Sequence, residues 1–455
     1  MVNYFGRSVN KVVIPEYGME AVHDSIRNAQ RELENKTIAE RNTALDFYYN
    51  RNMDTYIEDW FKGKNLSQVP PYTQRLVPRF AKARLMLYRK PSIKLFDGDV
   101  NEAYSEAAYN LDTVTREFAE LTWLLGDNAM RTKWSDKHQR MEYDILPVTK
   151  KYYVNGETTP FGVSYEIDRD SKNNRRFVFW SEARDKQPGM HFSFDQSGKI
   201  SAIPGNEDMV NIYGIIPISF AKYPSDASDV VRCAVQIGIM ATEVALAVRF
   251  AIGQPVLIGS YDDKNIMAGI DNLITLPEVG SSFQYVSPNG SIPAMIQAIK
   301  DLLDLTSSNH SLKIRWGDAG AVPSGIALTI MDSENLESRE SDIPIWREWE
   351  KSRYAVDRVV YETHTGSSLP EDVTIDFSEV TYPMSPDQER AWLDWKLEKG
   401  VMSQRDLLLY FNPDMSEEEL DSKINEVQEE KAVIEPEGAE APPVTTTPLL
   451  DILQA

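Results

Sequence analysis

AVPSGIALTIMDSENLESRESDIPIWREWEKSRYAVDRVVYE, residues 321–362, opens on a Ser-Gly pair and then settles into a single period. Trp346, Trp349, Val356 and Val360 recur at helical spacing, which predicts an amphipathic rod over residues 336–361 with no catalytic signature on it. Pro344 lacks a backbone donor and its ring crowds the preceding turn, so a kink or interruption is expected between the halves of the rod. The fold turns on what surrounds so long a helix.

Immediately upstream, SSNHSLKIRWGDAGAVPSG is rich in Gly, Ser and Pro, carries Lys313 and Arg315 near its middle, and reads as an irregular loop. Before it, Ser291 and Pro293 start a helix in which Ile292, Met295, Ile296, Ile299, Leu302 and Leu303 make one apolar face. QPVLIG, NLITLPE and SFQYVSPNG within 254–290 form a compact β module. Ser225 to Asp229 offer caps for a helix through about residue 252, interrupted only by Arg232, Gln236, Glu243 and Arg249. Its uninterrupted apolar runs fall short of the roughly twenty residues a membrane span needs, so burial on several sides, by its own chain or by neighbouring copies, is expected.

Further out, residues 140–220 contain short β-rich runs separated by Asn-Gly and Ser-Gly-Lys turns, an antiparallel meander between helices. Helices are expected over 19–60, over YTQRLVPRFAKARLMLYRK up to Pro91, and over 101–133. Segregated strands and helices put the chain in the α+β class. The second helix holds Arg75, Arg79, Lys82, Arg84, Arg89 and Lys90, a basic cluster read as a solvated or inter-subunit face. Downstream of the rod come a β run, DVTIDFSEV, a helix from Ser385 to Gly400, a small helical pair beginning at VMSQRDLLLYF, and a Pro-, Glu- and Thr-rich end expected to be mostly disordered.

The formal charge is −22; residues 416–455 hold 11 acids against Lys423 and Lys431, which leaves −13 on residues 1–415. Such a body repels a phosphate backbone at long range, which argues against a sequence-specific DNA reader and suits a surface that lets DNA slide past. Cys233 is the only cysteine and lies in an apolar helix pattern, where a buried structural thiol is expected. No apolar signal segment follows Met1, and a reducing cytoplasmic origin is expected. The five histidines form no pair with metal-ligand spacing, and no P-loop, dinucleotide fingerprint or nucleophile elbow occurs, so no metal and no cofactor is expected. Nine tryptophans and many carboxylates leave one enzymatic alternative, a soluble carbohydrate-active enzyme using paired carboxylates, although no pair is singled out.

Taken in order, these elements resemble a tailed-bacteriophage portal protein, over roughly residues 35–430. Ser324-Gly325-Ile326-Ala327-Leu328 leading into the rod, and Gly400-Val401-Met402-Ser403 followed by an acidic helix, carry the likeness most specifically. The resemblance implies a non-enzymatic ring of about twelve copies at one capsid vertex of the virion, made in the host cytoplasm, with double-stranded DNA passing non-specifically along its axis. It implies contacts with the terminase large subunit, the major capsid or scaffold protein, and a head-tail adaptor or tail protein. Residues 1–225 and 324–384 would form a wing, 226–253 and 291–307 two stem helices, 254–290 a clip and 308–323 a tunnel loop. A short crown, 385–432, would end in a disordered acidic tail, 433–455. His310, Lys313 and Arg315 would face DNA, and Arg232, Gln236, Glu243, Arg249, Asp301 and Asp304 would lie at the stem interface. A third reading is a host-interaction or scaffold protein that works as a monomer.

Overall fold

A computed structural model describes residues 11–14, 17–30, 36–61, 70–169, 174–184, 186–250, 254–258, 282–286, 292–313, 333–379, 386–412, 415 and 419–424. The chain is mixed α+β. Of these residues, those up to 313 together with 333–379 fall in one compact unit, and 386–424 in another.

In the first unit the strand β1 (Lys11–Ile14) leads into helices α1 (Met19–Gln30), α2 (Lys36–Tyr49), α3 (Met53–Trp60) and α4 (Leu76–Arg84). The fourth helix is shorter than the expected 72–90: Leu85 leaves helical geometry at φ −90, ψ 63, and residues 86–89 close as a 3-10 turn. After β2 (Ser92–Leu95), the expected helix over 101–133 divides into α5 (Glu102–Ala107), α6 (Leu111–Leu125) and the strand β3 (Asp127–Ser135). Gly126 sets that boundary. At φ +80 it adopts the left-handed conformation that stops a helix, its N–H bonding back to the Thr122 carbonyl.

The strands β4 (Arg140–Leu146), β5 (Thr149–Val154), β6 (Gly162–Arg169), β7 (Arg175–Ser181), β8 (His191–Asp195), β9 (Ile200–Ser201) and β10 (Ile218–Lys222) follow. The antiparallel meander runs β5-β6-β7-β8-β9, and β1 adds in parallel to β5, an edge that local sequence did not announce. A separate three-stranded sheet has the order β10-β3-β4. Strand β7 explains how these layers stack. Its run Phe177-Val178-Phe179-Trp180 is apolar at every position because both faces are covered. Phe177 and Phe179 point to α1, packing with Val22 and Ile26, whereas Val178 and Trp180 pack with Ala129 and Ile218 of the second sheet.

Helix α7 (Ser228–Phe250), the strands β11 (Gln254–Ile258) and β12 (Ser282–Val286), and helix α8 (Ile292–Asn309) come next. β11 and β12 pair antiparallel between the two helices and correspond to two of the three β runs expected in 254–290; the third, NLITLPE, lies outside the described residues. Helix α8 extends to Asn309, two residues into the expected loop; the rest of that loop from residue 314, with Arg315 and the Ser324–Leu328 motif, lies outside the described residues.

The rod is α9 (Ser333–Thr365), 33 residues that run through Pro344 without interruption. Pro344 is exposed, so its ring meets solvent instead of core. Trp346, Trp349, Val356 and Val360 are all buried, as their spacing predicts. Trp346 and Trp349 belong to the protein's own main core, where Phe118 stacks on Trp349 at 4.5 Å and Tyr88 meets Trp346 edge-on. Strand β13 (Thr374–Phe377) then pairs with β2.

The second unit contains α10 (Pro386–Glu398) and α11 (Gln404–Phe411). Ser403 opens α11 with a capping box, its hydroxyl accepting from the Asp406 N–H while the Asp406 carboxylate accepts from the Ser403 N–H. Ser403 of the Gly400–Ser403 motif is thus a helix start. The acidic tail lies outside the described residues beyond 424.

Candidate assembly surface

The α7–hairpin–α8 element is antiparallel, and two contacts fix its register. His310 Nε2 lies 2.9 Å from Asp229 Oδ1, and the Cys233 thiol meets Thr306. Each step along α7 is therefore matched by one step back along α8, so Arg232 stands opposite Ser307 and Glu243 opposite Ile296. Burial pushes the Cys233 thiol up, and Thr306 offsets part of that shift, which fits a packing thiol.

The first half of α7 is covered by its own chain. Val230, Val231, Ala234, Ile237 and Ile239 are buried against α2, α3, α4 and α8. At Gly238 a side-chain carbon would stand 2.6 Å from Ile57 Cδ1 and 3.1 Å from the Tyr72 carbonyl, so only glycine lets α3 approach this closely. By length and composition α7 could cross a membrane, but 44% of its apolar window is buried inside the protein. The first half of this helix is therefore buried by its own chain, one of the two covers expected for it.

The outer half differs. Residues 243–247 are half-buried and Val248 is 52% exposed, while opposite them on α8 Ile296 is 43% exposed; nearer the root, Leu305 is 65% exposed. Arg232, Gln236 and Arg249 are exposed along α7, and Asp301 and Asp304 along α8, with the Gln297 amide donating to Asp301 at 2.8 Å. Lys313 is exposed. His310 is a correction: its ring stands edge-on to Trp123 at 5.1 Å and bonds Asp229, so it anchors the hairpin root instead of projecting from a loop.

The root of α7 is held from three directions. Gly126 accepts the Tyr223 N–H at 2.8 Å, and Leu124 accepts the Ala227 N–H at 3.2 Å. Arg84 donates to Asp342 of the rod at 2.7 Å and to the Tyr223 hydroxyl at 2.7 Å, and that hydroxyl donates to Asp342 at 2.5 Å. Arg84 thus leaves the solvated or inter-subunit basic cluster expected from sequence: it is buried and paired, because a carboxylate on the rod faces it.

The rod carries a second buried network. Glu350, Arg353 and Asp357 are each 0% exposed. Arg353 donates to Glu350 Oε2 at 2.9 Å and, through Nη1, to the Tyr104 hydroxyl and to Asp357. Ser92 and Tyr88 donate to Glu350; Thr132, Tyr104 and Tyr143 donate to Asp357. Burial raises both carboxyls. At Glu350 the Arg353 and Lys94 charges and the Ser92 hydroxyl outweigh it and hold the group below the usual carboxylate range; at Asp357 burial wins and the group stays above it. These acids are close together, yet an arginine separates them and solvent does not reach them, unlike a pair arranged to flank a sugar.

Sequence reasoning missed this network, although its signal was present. Trp346, Glu350, Arg353, Asp357 and Val360 follow one helical stripe, and charges on an apolar stripe point to buried pairing. No model of a known protein family and no curated protein matches the chain.

Proposed function

We propose that this chain is the protomer of a bacteriophage portal ring, a non-enzymatic conduit at one capsid vertex through which the genome is packaged and later ejected. The observation that carries the reading is the α7–β11/β12–α8 element: an antiparallel helical pair rooted in the core that leaves Val248 and Ile296 in solvent on its outer half and Leu305 in solvent nearer its root. A ring closes by repeating one head-to-tail contact, and apolar helix faces left bare in the single chain are what such a contact covers. The order of elements around it, helices, meander, hairpin and long returning rod, supports the same reading.

On this reading the two helices are stem and the hairpin between them is the clip that meets the terminase motor and then the tail adaptor. Lys313 and Arg315, repeated around the axis, make a cationic belt in an otherwise acidic bore, and the short helices of 385–432 form the crown. Capsid or scaffold protein surrounds the wing.

Native mass spectrometry with negative-stain imaging of the purified chain tests the reading. The expected result is a closed ring of about twelve copies with a central hole wide enough for a duplex. A compact monomer at high concentration overturns it.

A further inference from the structure

The helical hairpin presents charges of opposite sign on two separate surfaces. On α8, Thr306 faces α7, so Asp304, about 200° round the helix from it, points away from α7, and Asp301 does the same at about 140°. On α7, Cys233 faces α8, and Arg232 is turned about 100° from it, onto a flank shared with Gln236. Arg232, Asp301 and Asp304 are all exposed, and among the described residues none makes an ion pair within the chain. Yet the register sets Arg232 opposite Ser307, only about 4.5 Å along the axis from the level of Asp304, one arginine side chain's reach.

Identical copies related by a rotation stand at the same height on the axis. A residue on one flank of the hairpin therefore meets, on the next copy, residues at its own level on the other surface. We propose that successive copies associate head to tail through this match, Arg232 of one copy pairing with Asp304 of the next, with Leu305 and Asp301 beside it. The proposal rests on the ring reading above and adds its direction of contact and its partner surface, a second copy of this chain. Other charges share these surfaces: Lys300 is exposed on α8, Asp229 is engaged by His310, and Glu243 is half-buried farther along α7.

The test is a charge swap in the full chain, read as the protein concentration at which half the chains are in rings. Arg232→Glu alone and Asp304→Arg alone each raise that concentration roughly tenfold, because each sets like charges against one another. Combining both substitutions in one chain restores assembly to near the wild-type value. So does an equal mixture of the two single variants, in which every contact again joins opposite charges when copies alternate. The gap between single variants and wild type shrinks in 1 M salt, where the screening length is about 3 Å. Circular dichroism of each variant checks folding; should a reversal fail to fold, Arg232→Gln replaces it, with a rise of about threefold expected.

Wild-type rings whose formation ignores both reversals, or a mixture no better than its components, overturn the contact and leave the ring reading standing. A wild-type chain that never closes overturns the ring reading, and this contact with it. Rescue by mixing excludes a pair within one chain, since mixing changes nothing inside a protomer.

Discussion

Arg353 is the residue on which the rod's position depends. Its guanidinium reaches Glu350 one turn back and Asp357 one turn on, and those carboxylates collect hydroxyls from β2, α5, β3, β4 and the turn at 86–89. Such a network adds little net stability, because three desolvated charges offset most of their attraction, but removing one member strands the others. Arg353→Met is expected to destabilise the folded chain by about 3–5 kcal/mol, seen as a lower urea midpoint in the tryptophan fluorescence of the neighbouring Trp346 and Trp349. An unchanged midpoint would mean that water or a rearranged partner relieves Glu350 and Asp357. At this scale the sequence was half legible. Apolar positions on the rod were readable because spacing alone selects them, whereas Arg84 read as a surface charge because its partner Asp342 stands 258 positions away in the chain.

Among the elements, helix ends carry the most local information and helix cover the least. Gly126 separates α6 from β3 and also hosts the chain entering α7, with Asp226 Cβ standing 3.3 Å from where its own side-chain carbon would be. Gly126→Ala combines a left-handed backbone with that close approach and is expected to cost roughly 1–2 kcal/mol. Proteolysis should find the consequence first at the α7 root, as faster cleavage near residues 223–227; cleavage elsewhere alone would show that the junction tolerates a side chain. The glycine was visible in the sequence. What hid its role was the short run on either side, LTWLL before it and DNAM after it, which by itself fixes no change of period from helix to strand. Pro344 misled in the other direction, since a 33-residue helix buried along one side absorbs one missing hydrogen bond on its exposed side.

For the molecule as a whole, the strong negative charge frames what individual cations do. If Lys313 and Arg315 line the bore, replacing both with Ala leaves ring assembly unchanged and weakens DNA retention. The slope of log affinity against log salt should fall by about one for each phosphate that is no longer neutralised. Retention curves that superimpose with wild type at every salt concentration remove the cationic belt. The α+β class and the presence of a β module between two helices were legible because each rests on local periodicity. The parallel addition of β1, the layering around β7 and the shared core under α7 were not, because they join segments far apart in sequence.

The rod's late place in the chain has a further consequence for synthesis. Helices α4 to α6 and strands β2 to β4 are translated well before α9, the element that fills the space between them, and pairs such as Tyr104–Asp357 span 253 positions. At roughly 5–20 residues per second, the ribosome leaves that half-built interior open for about 13–50 s. A nascent chain with a bare apolar trough for so long is a substrate for cellular chaperones, and truncation before residue 333 should yield insoluble protein even though most of the sequence is present.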